Sequence, residues 1–182
     1  IRDSNPTGGI LKKKDLSKLV DIVEKNNLWI ISDEVYEELI FSEDFISPLE
    51  IESLAKRTVV VSSISKSHAA PGFRSGWVFA QADVINKMLP LAETMLFGNQ
   101  PFIADMTAYA ISNKSKTAIK MKTDYERRAK LICKKLAKTK NIRPIMPKSG
   151  MFILIKLELK NYSDEKFAWE LLRTEGIAVM PG

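Results

Sequence analysis

Thr58-Val59-Val60-Val61-Ser62-Ser63-Ile64-Ser65-Lys66-Ser67-His68-Ala69-Ala70-Pro71-Gly72-Phe73-Arg74-Ser75-Gly76-Trp77 is the stretch from which the fold can be read. It opens on a short, almost wholly apolar run, which suits a strand buried on both faces, and the run ends in a serine-rich loop. The same device stands upstream, where Leu28-Trp29-Ile30-Ile31 is followed at once by Ser32-Asp33-Glu34. Before that, Lys14 to Asn27 sets Leu16, Leu19, Val20 and Val23 at i, i+3, i+4 and i+7, the apolar stripe of a surface helix. Gly76 to Ala80 is a third expected strand. Helix and strands with polar residues gathered where strands end make the pattern of an open α/β sheet, whose ligands bind beyond the carboxyl ends of the strands.

Working outward, the chain changes character from Leu89. Ala104 to Ile111 and Lys120 to Lys138 are expected helices, the second with Ala129, Ile132, Cys133 and Leu136 inward. A smaller α/β unit follows, with strands expected at Met151 to Leu157 and Ile177 to Met180 and a helix at Asp164 to Thr174. The boundary is placed near Lys116, dividing the chain into 1–116 and 117–182. Trp29 and Trp77 flank expected strands and are read as core.

With 45% apolar residues in 182, the composition suits a soluble globular protein with a sizeable core. Its apolar stretches are far shorter than the roughly 18–20 residues that span a bilayer, so no membrane partner is expected. Cys133 is the only cysteine, which excludes an intramolecular disulfide and makes a buried thiol in a reducing cytoplasm the default. The chain begins Ile1-Arg2-Asp3-Ser4, so a targeting segment would lie outside it. The net charge of +6 suggests affinity for anions. Between Lys114 and Arg143 twelve basic residues face only Asp124 and Glu126. A solvated helix face accounts for that run better than a nucleic-acid-binding module, and no nucleic-acid partner is expected.

In the loop after Val61, small hydroxyl residues beside a lysine, with glycine and Arg74 farther on, suit a phosphate anion: hydroxyls donate and a guanidinium offers a charge-assisted fork. A lysine so placed is also a candidate amine nucleophile toward carbonyls. A solvated basic loop has the same composition. Asn5-Pro6-Thr7-Gly8 has the residues of an ordinary turn, and Asp33 those of a cap. His68, two residues from Lys66, is read as a supporting or packing group rather than a direct acid or base. No metal site is expected.

Ser63-Ile64-Ser65-Lys66, with Arg74 and Gly76, resembles the lysine motif of the fold-type I aminotransferases, class I/II; Ser75 departs from it, standing where the pattern has an apolar residue. Asn5-Pro6-Thr7-Gly8 and Asp33-Glu34-Val35-Tyr36 resemble two further segments of that family, in its order and spacing. Gly150-Met151-Phe152 and Met180-Pro181-Gly182 resemble parts of its small domain. The resemblance implies an α/β, pyridoxal-phosphate-dependent transferase fold of type I: part of the large, mostly parallel-sheet domain and part of the small α/β domain.

It further implies an aminotransferase that moves an amino group between an L-amino acid and a 2-oxo acid, with pyridoxal 5′-phosphate held as a Schiff base on Lys66. Asp33 would pair with the ring nitrogen, and Asn5 and Tyr36 would reach the phenolic oxygen. Ser63, Arg74 and, less centrally, Ser65 would hold the phosphate. Lys66, Asp33 and Tyr36 are the catalytic candidates. The wording around Asp33 and Lys66 is most similar to the branch holding aspartate aminotransferases and arginine–pyruvate transaminases. A carbon–sulfur lyase of the same fold is the alternative, and Tyr36 favours transamination. The chain corresponds to about half of such an enzyme, so a complete active site is not expected from this length alone; a homodimer is expected of the full-length protein.

Overall fold

α1, Lys13–Lys25, forms because its apolar positions fall on one stripe: Leu16 and Val23 are buried against Leu54, with Leu19, Val20, Ile30, Ile46 and Ile51 packed around them. In its first turn the Asp15 carboxylate accepts the Lys12 N–H at 3.2 Å, which places an acid at the helix's positive end. The computed structural model describes residues 5–41, 45–160 and 162–182. β1, Ile30–Asp33, follows α1. The expected strand began at Leu28, but the Leu28 N–H closes the end of α1 on Val23 O at 2.9 Å, so the chain is still leaving the helix there. Trp29, expected in the core, is 52% exposed, because it precedes an edge strand that pairs only with β2 among the described residues.

Two 3-10 turns, Glu37–Leu39 and Pro48–Glu50, and the short α2, Glu52–Ala55, lead to β2, Thr58–Ser63. β1 and β2 are parallel, with Asp33 in register with Val61. The one-turn α3, Ile64–Ser67, and a 3-10 turn at Pro71–Phe73 return the chain to β3, Gly76–Phe79. β3 runs antiparallel to β2, with Gly76 opposite Ser63. An antiparallel neighbour needs no long crossover, which is why so short a connection suffices.

α4, Ala82–Leu96, was not anticipated from the sequence; Pro90 stands inside it, and none of its residues is buried. α5, Pro101–Ile111, starts three residues earlier than expected, with Pro101 in the first turn, where a missing N–H costs nothing. α6, Lys116–Leu136, is capped by Ser115. Its inward face is narrower than expected: Ala129 is buried and Cys133 and Leu136 are half-buried, but Ile132 is 40% exposed. Its basic face carries Arg127–Asp124 and Lys130–Glu126 ion pairs at i+3 and i+4 spacing.

The last part pairs β4, Ile142–Ile145, with β5, Leu154–Leu157, as an antiparallel ribbon, followed by α7, Asp164–Glu175. β5 is shorter than expected because the residues before it bond to the first part of the chain: the Gly150 N–H donates to Leu39 O at 3.1 Å. The expected strand at Ile177 to Met180 is not formed; these residues have no partner strand among those described, and Met180 is 90% exposed. No helix among the described residues is long and apolar enough to cross a membrane.

Candidate active site

Parallel pairing delivers the carboxyl ends of β1 and β2 to one edge of the sheet, and antiparallel pairing brings the start of β3 to the same edge. Asp33 is the last residue of β1, Ser63 the last of β2, and Lys66 sits on the helical turn that follows. The Ser63 hydroxyl accepts the Ser65 N–H at 3.3 Å, fixing the turn from strand to helix. A side chain at Gly76 would put its Cβ 2.6 Å from Ser62 O and 3.1 Å from the Ser63 Cβ, so only glycine lets β3 close on Ser63. Lys66 is half-buried, and its amine has no hydrogen bond or ion pair among the described residues. Arg74 lies two residues before Gly76, exposed, in the left-handed region at φ 52°, with Nη1 donating to Pro71 O at 2.9 Å.

Asp33 and Tyr36 meet in the loop beyond β1. One Asp33 oxygen accepts the Val35 N–H at 3.1 Å, the local turn that its residue type favours. Tyr36 is only 6% exposed. Burial pushes its hydroxyl above the ordinary phenol range, and the Asp33 charge pushes the same way. The phenol therefore keeps its proton at neutral pH and is available as a donor. Glu34 points away from Asp33, as strand alternation requires, and is buried; its Oε1 accepts from Ser32 Oγ at 2.9 Å and Ser47 Oγ at 2.8 Å. It anchors the loop at Ser47 to β1, a role that the sequence reading missed and that period-two alternation could have signalled.

Asn5 is exposed and joins this edge through an intermediary. The Pro147–Gly150 segment lies across two places at once: the Lys148 N–H donates to Gly8 O at 2.9 Å, and the Phe41 N–H donates to Lys148 O at 2.9 Å. Gly8, at φ +63°, has Pro147 and Ser149 O packed where a side chain would be. Tyr36 meets Phe152 edge-to-face at 6.4 Å between ring centroids. The Asn5 loop and the Tyr36 loop are thus held by the same later segment, which neither motif alone reveals.

Helix α3 is tied to later helices by groups that the sequence reading did not connect. His68 Nδ1 lies 2.9 Å from Ser67 Oγ and Nε2 lies 3.1 Å from Ala110 O in α5, while Ser115 Oγ donates to Ser67 O at 3.0 Å. Ser75, the departure from the motif, is buried and satisfied: its hydroxyl is 2.7 Å from Thr107 Oγ1 and accepts from Asn99 at 3.3 Å. A cleft of about 610 Å³ lined by Glu24, Glu52, Ser53, Lys56 and Arg57 lies at the opposite, amino end of β2. The chemistry-bearing residues are not there.

The sequence profile described as "Aminotransferase class I and II" matches residues 4–182. The chain belongs to that family. An arginine–pyruvate transaminase of Pseudomonas aeruginosa is 35% identical over 178 residues, covering 98% of this chain and 45% of the relative. An aspartate aminotransferase of Pyrococcus abyssi is 32% identical, covering 98% and 46%. Among solved structures, an aromatic aminotransferase from Pyrococcus horikoshii superimposes with a TM-score of 0.92 at 31% identity, covering 98% of this chain and 48% of that one. This class I/II aminotransferase chain thus spans about half the length of the curated relatives that it matches.

Class I and II aminotransferases work with pyridoxal phosphate. The residues at the sheet edge fit that group. Among the described residues Lys66 offers a half-buried amine and Asp33 an oxygen without protein partners, and Tyr36 keeps a phenol proton available to donate. Ser63, Ser65 and Arg74 supply hydroxyls and a guanidinium of which one nitrogen is committed to Pro71.

Proposed function

We propose that the whole protein is a pyridoxal-phosphate-dependent aminotransferase exchanging an amino group between an L-amino acid and a 2-oxo acid, with Lys66 as the lysine that holds the cofactor. The observation that carries this reading is the half-buried amine of Lys66, unpaired among the described residues, beside the ends of β1 and β2, with Asp33 and Tyr36 at the same sheet edge. When bound, the cofactor supplies a reactive carbonyl carbon and an electron-accepting ring. Lys66 would join that carbon through its amine, the carbonyl oxygen leaving as water, and, once displaced by the amine of the substrate, would take and return the proton at the substrate Cα. Asp33 holds a proton on the ring nitrogen. Tyr36, kept protonated by its burial and by Asp33, donates to the phenolic oxygen, and Asn5 approaches the same atom. Ser63, Ser65 and Arg74 bind the phosphate, which carries about −1.5 to −2 charges.

The same reading divides the chain at 116/117, near the start of α6, into part of a cofactor-binding domain and part of a small domain. It makes the full-length protein a cytoplasmic homodimer, in keeping with the single cysteine of these 182 residues and with the apolar residues exposed on α4. Borohydride reduction of the full-length protein with pyridoxal phosphate, followed by peptide mapping, tests it: the label is expected on Lys66, and a label elsewhere or none overturns the reading. Asp33→Asn is expected to retain the label and lower turnover on the order of 10²-fold or more.

A further inference from the structure

We propose that His68 is a positioning residue for Lys66: its ring is a strut that pins the helical turn bearing the lysine to α5. The proposal rests on the reading of Lys66 as the cofactor-bearing lysine. α3 has four residues, Ile64–Ser67, and a single turn fixes more dihedral angles than its hydrogen bonds repay. Its geometry must come from what grips its ends. At the amino end the grip is the Ser63 hydroxyl on the Ser65 N–H. At the carboxyl end it is His68, whose own N–H donates to Ile64 O at 3.1 Å.

The ring adds a tie that does not depend on α3 itself. Ala110 O is a carbonyl and can only accept, so Nε2, 3.1 Å away, carries the hydrogen. In that tautomer Nδ1 accepts, and the buried Ser67 hydroxyl, 2.9 Å from Nδ1 and 3.4 Å from Ser63 O, shares its one hydrogen between the two. Ala110 lies in the last turn of α5, where its carbonyl lacks an i+4 partner and accepts the Asn113 N–H at 3.3 Å beside the ring. Both ring nitrogens are thereby committed, which removes His68 from direct proton transfer although it stands two residues from Lys66. Ser115, the cap of α6, adds a second tie by donating to Ser67 O at 3.0 Å.

The consequence is a fixed Cα beneath a long, flexible lysine. The amine has to serve at two carbons, that of the cofactor and that of the substrate, and a misplacement of about 1 Å can cost on the order of 10²-fold in rate. A ring that merely filled space would be replaceable by phenylalanine. A strut would not, but an amide able to donate to Ala110 O would restore part of it.

The test uses the full-length protein with His68→Phe, His68→Gln and Ser67→Ala. In apo-protein, amide exchange of the peptide covering residues 64–68 is expected to speed up by up to about tenfold in the Phe variant, the equivalent of losing a hydrogen bond or so. With pyridoxal phosphate bound, the pH midpoint of its visible absorbance should shift. kcat should fall about 10- to 100-fold with KM changed less than about threefold. His68→Gln should recover part of each change. Ser67→Ala, which removes the hydroxyl from Nδ1 together with its 3.4 Å bond to Ser63 O, should fall between and carries the test if the Phe variant does not fold. Unchanged exchange and absorbance in the Phe variant, or losses that the Gln variant does not relieve, overturn the proposal. If the parent carries no label on Lys66, the proposed function fails and the proposal with it; if the label is present and the variants are silent, only the role of His68 fails.

Discussion

Tyr36 shows how one side chain records its surroundings. Burial first, and the Asp33 charge second, raise its hydroxyl above the ordinary value of 10.0. A group whose value is raised by folding binds its proton more tightly in the folded state, so its contribution is complete below pH 10 and is lost as pH climbs through the raised value. The expected outcome is that the ultraviolet phenolate titration of the parent minus that of Tyr36→Phe has its midpoint above 10.0, and that the Phe variant flattens the alkaline fall in stability. Gly76 makes a second prediction at this scale. Alanine there would drive a Cβ into Ser62 O, and the resulting overpacking is expected to cost about 1–3 kcal/mol, read as a lowered urea midpoint. Much of this site could be read from residue order: Asp33 and Lys66 stand where strands end, because apolar runs mark strands and ligand chemistry gathers beyond them. Lys148 and the His68 strut could not be found that way, since Gly8, Phe41 and Ala110 are distant from them in sequence and no local pattern announces a long-range hydrogen bond.

Among the elements, α1, β2, β3 and α7 were legible because their apolar spacing and their turn residues agree. β4 was missed: Ile142–Ile145 is short, contains Pro144 and, among the described residues, pairs only with β5. α4 was missed as a helix of fifteen residues that buries none of them and carries an internal proline. Where tertiary packing supplies no face, periodicity has little to report. Ser115 shows the opposite case, in which one residue serves two elements: its hydroxyl accepts the Ala118 N–H at 3.0 Å as the cap of α6 and donates to Ser67 O beyond α3. Ser115→Ala is expected to cost about 1–2 kcal/mol, seen in the urea midpoint, while Ser115→Thr retains most of it. A change below about 0.5 kcal/mol would mark the hydroxyl as an ordinary surface group.

The whole molecule exposes 12809 Å², whereas a self-contained globule of 20.5 kDa exposes about 8,900 Å². The apolar content thus does not all go into a core: Met95, Leu96, Phe97 and Phe102 are 75%, 71%, 92% and 67% exposed. Contiguous apolar surface of this kind marks an interface or an aggregation hazard. The 182-residue chain by itself is expected to enhance the fluorescence of a hydrophobic dye, and the full-length protein to do so far less. Equal enhancement per chain would show that this face stays open in both. The bond from the Lys148 N–H to Gly8 O joins points about 140 residues apart, and ribosomes add about 5–20 residues per second, so the Asn5 loop emerges roughly 7–30 s before the segment that locks it exists. During synthesis the nascent Asn5 loop has to wait, and its final shape is decided by codons read about 140 positions later.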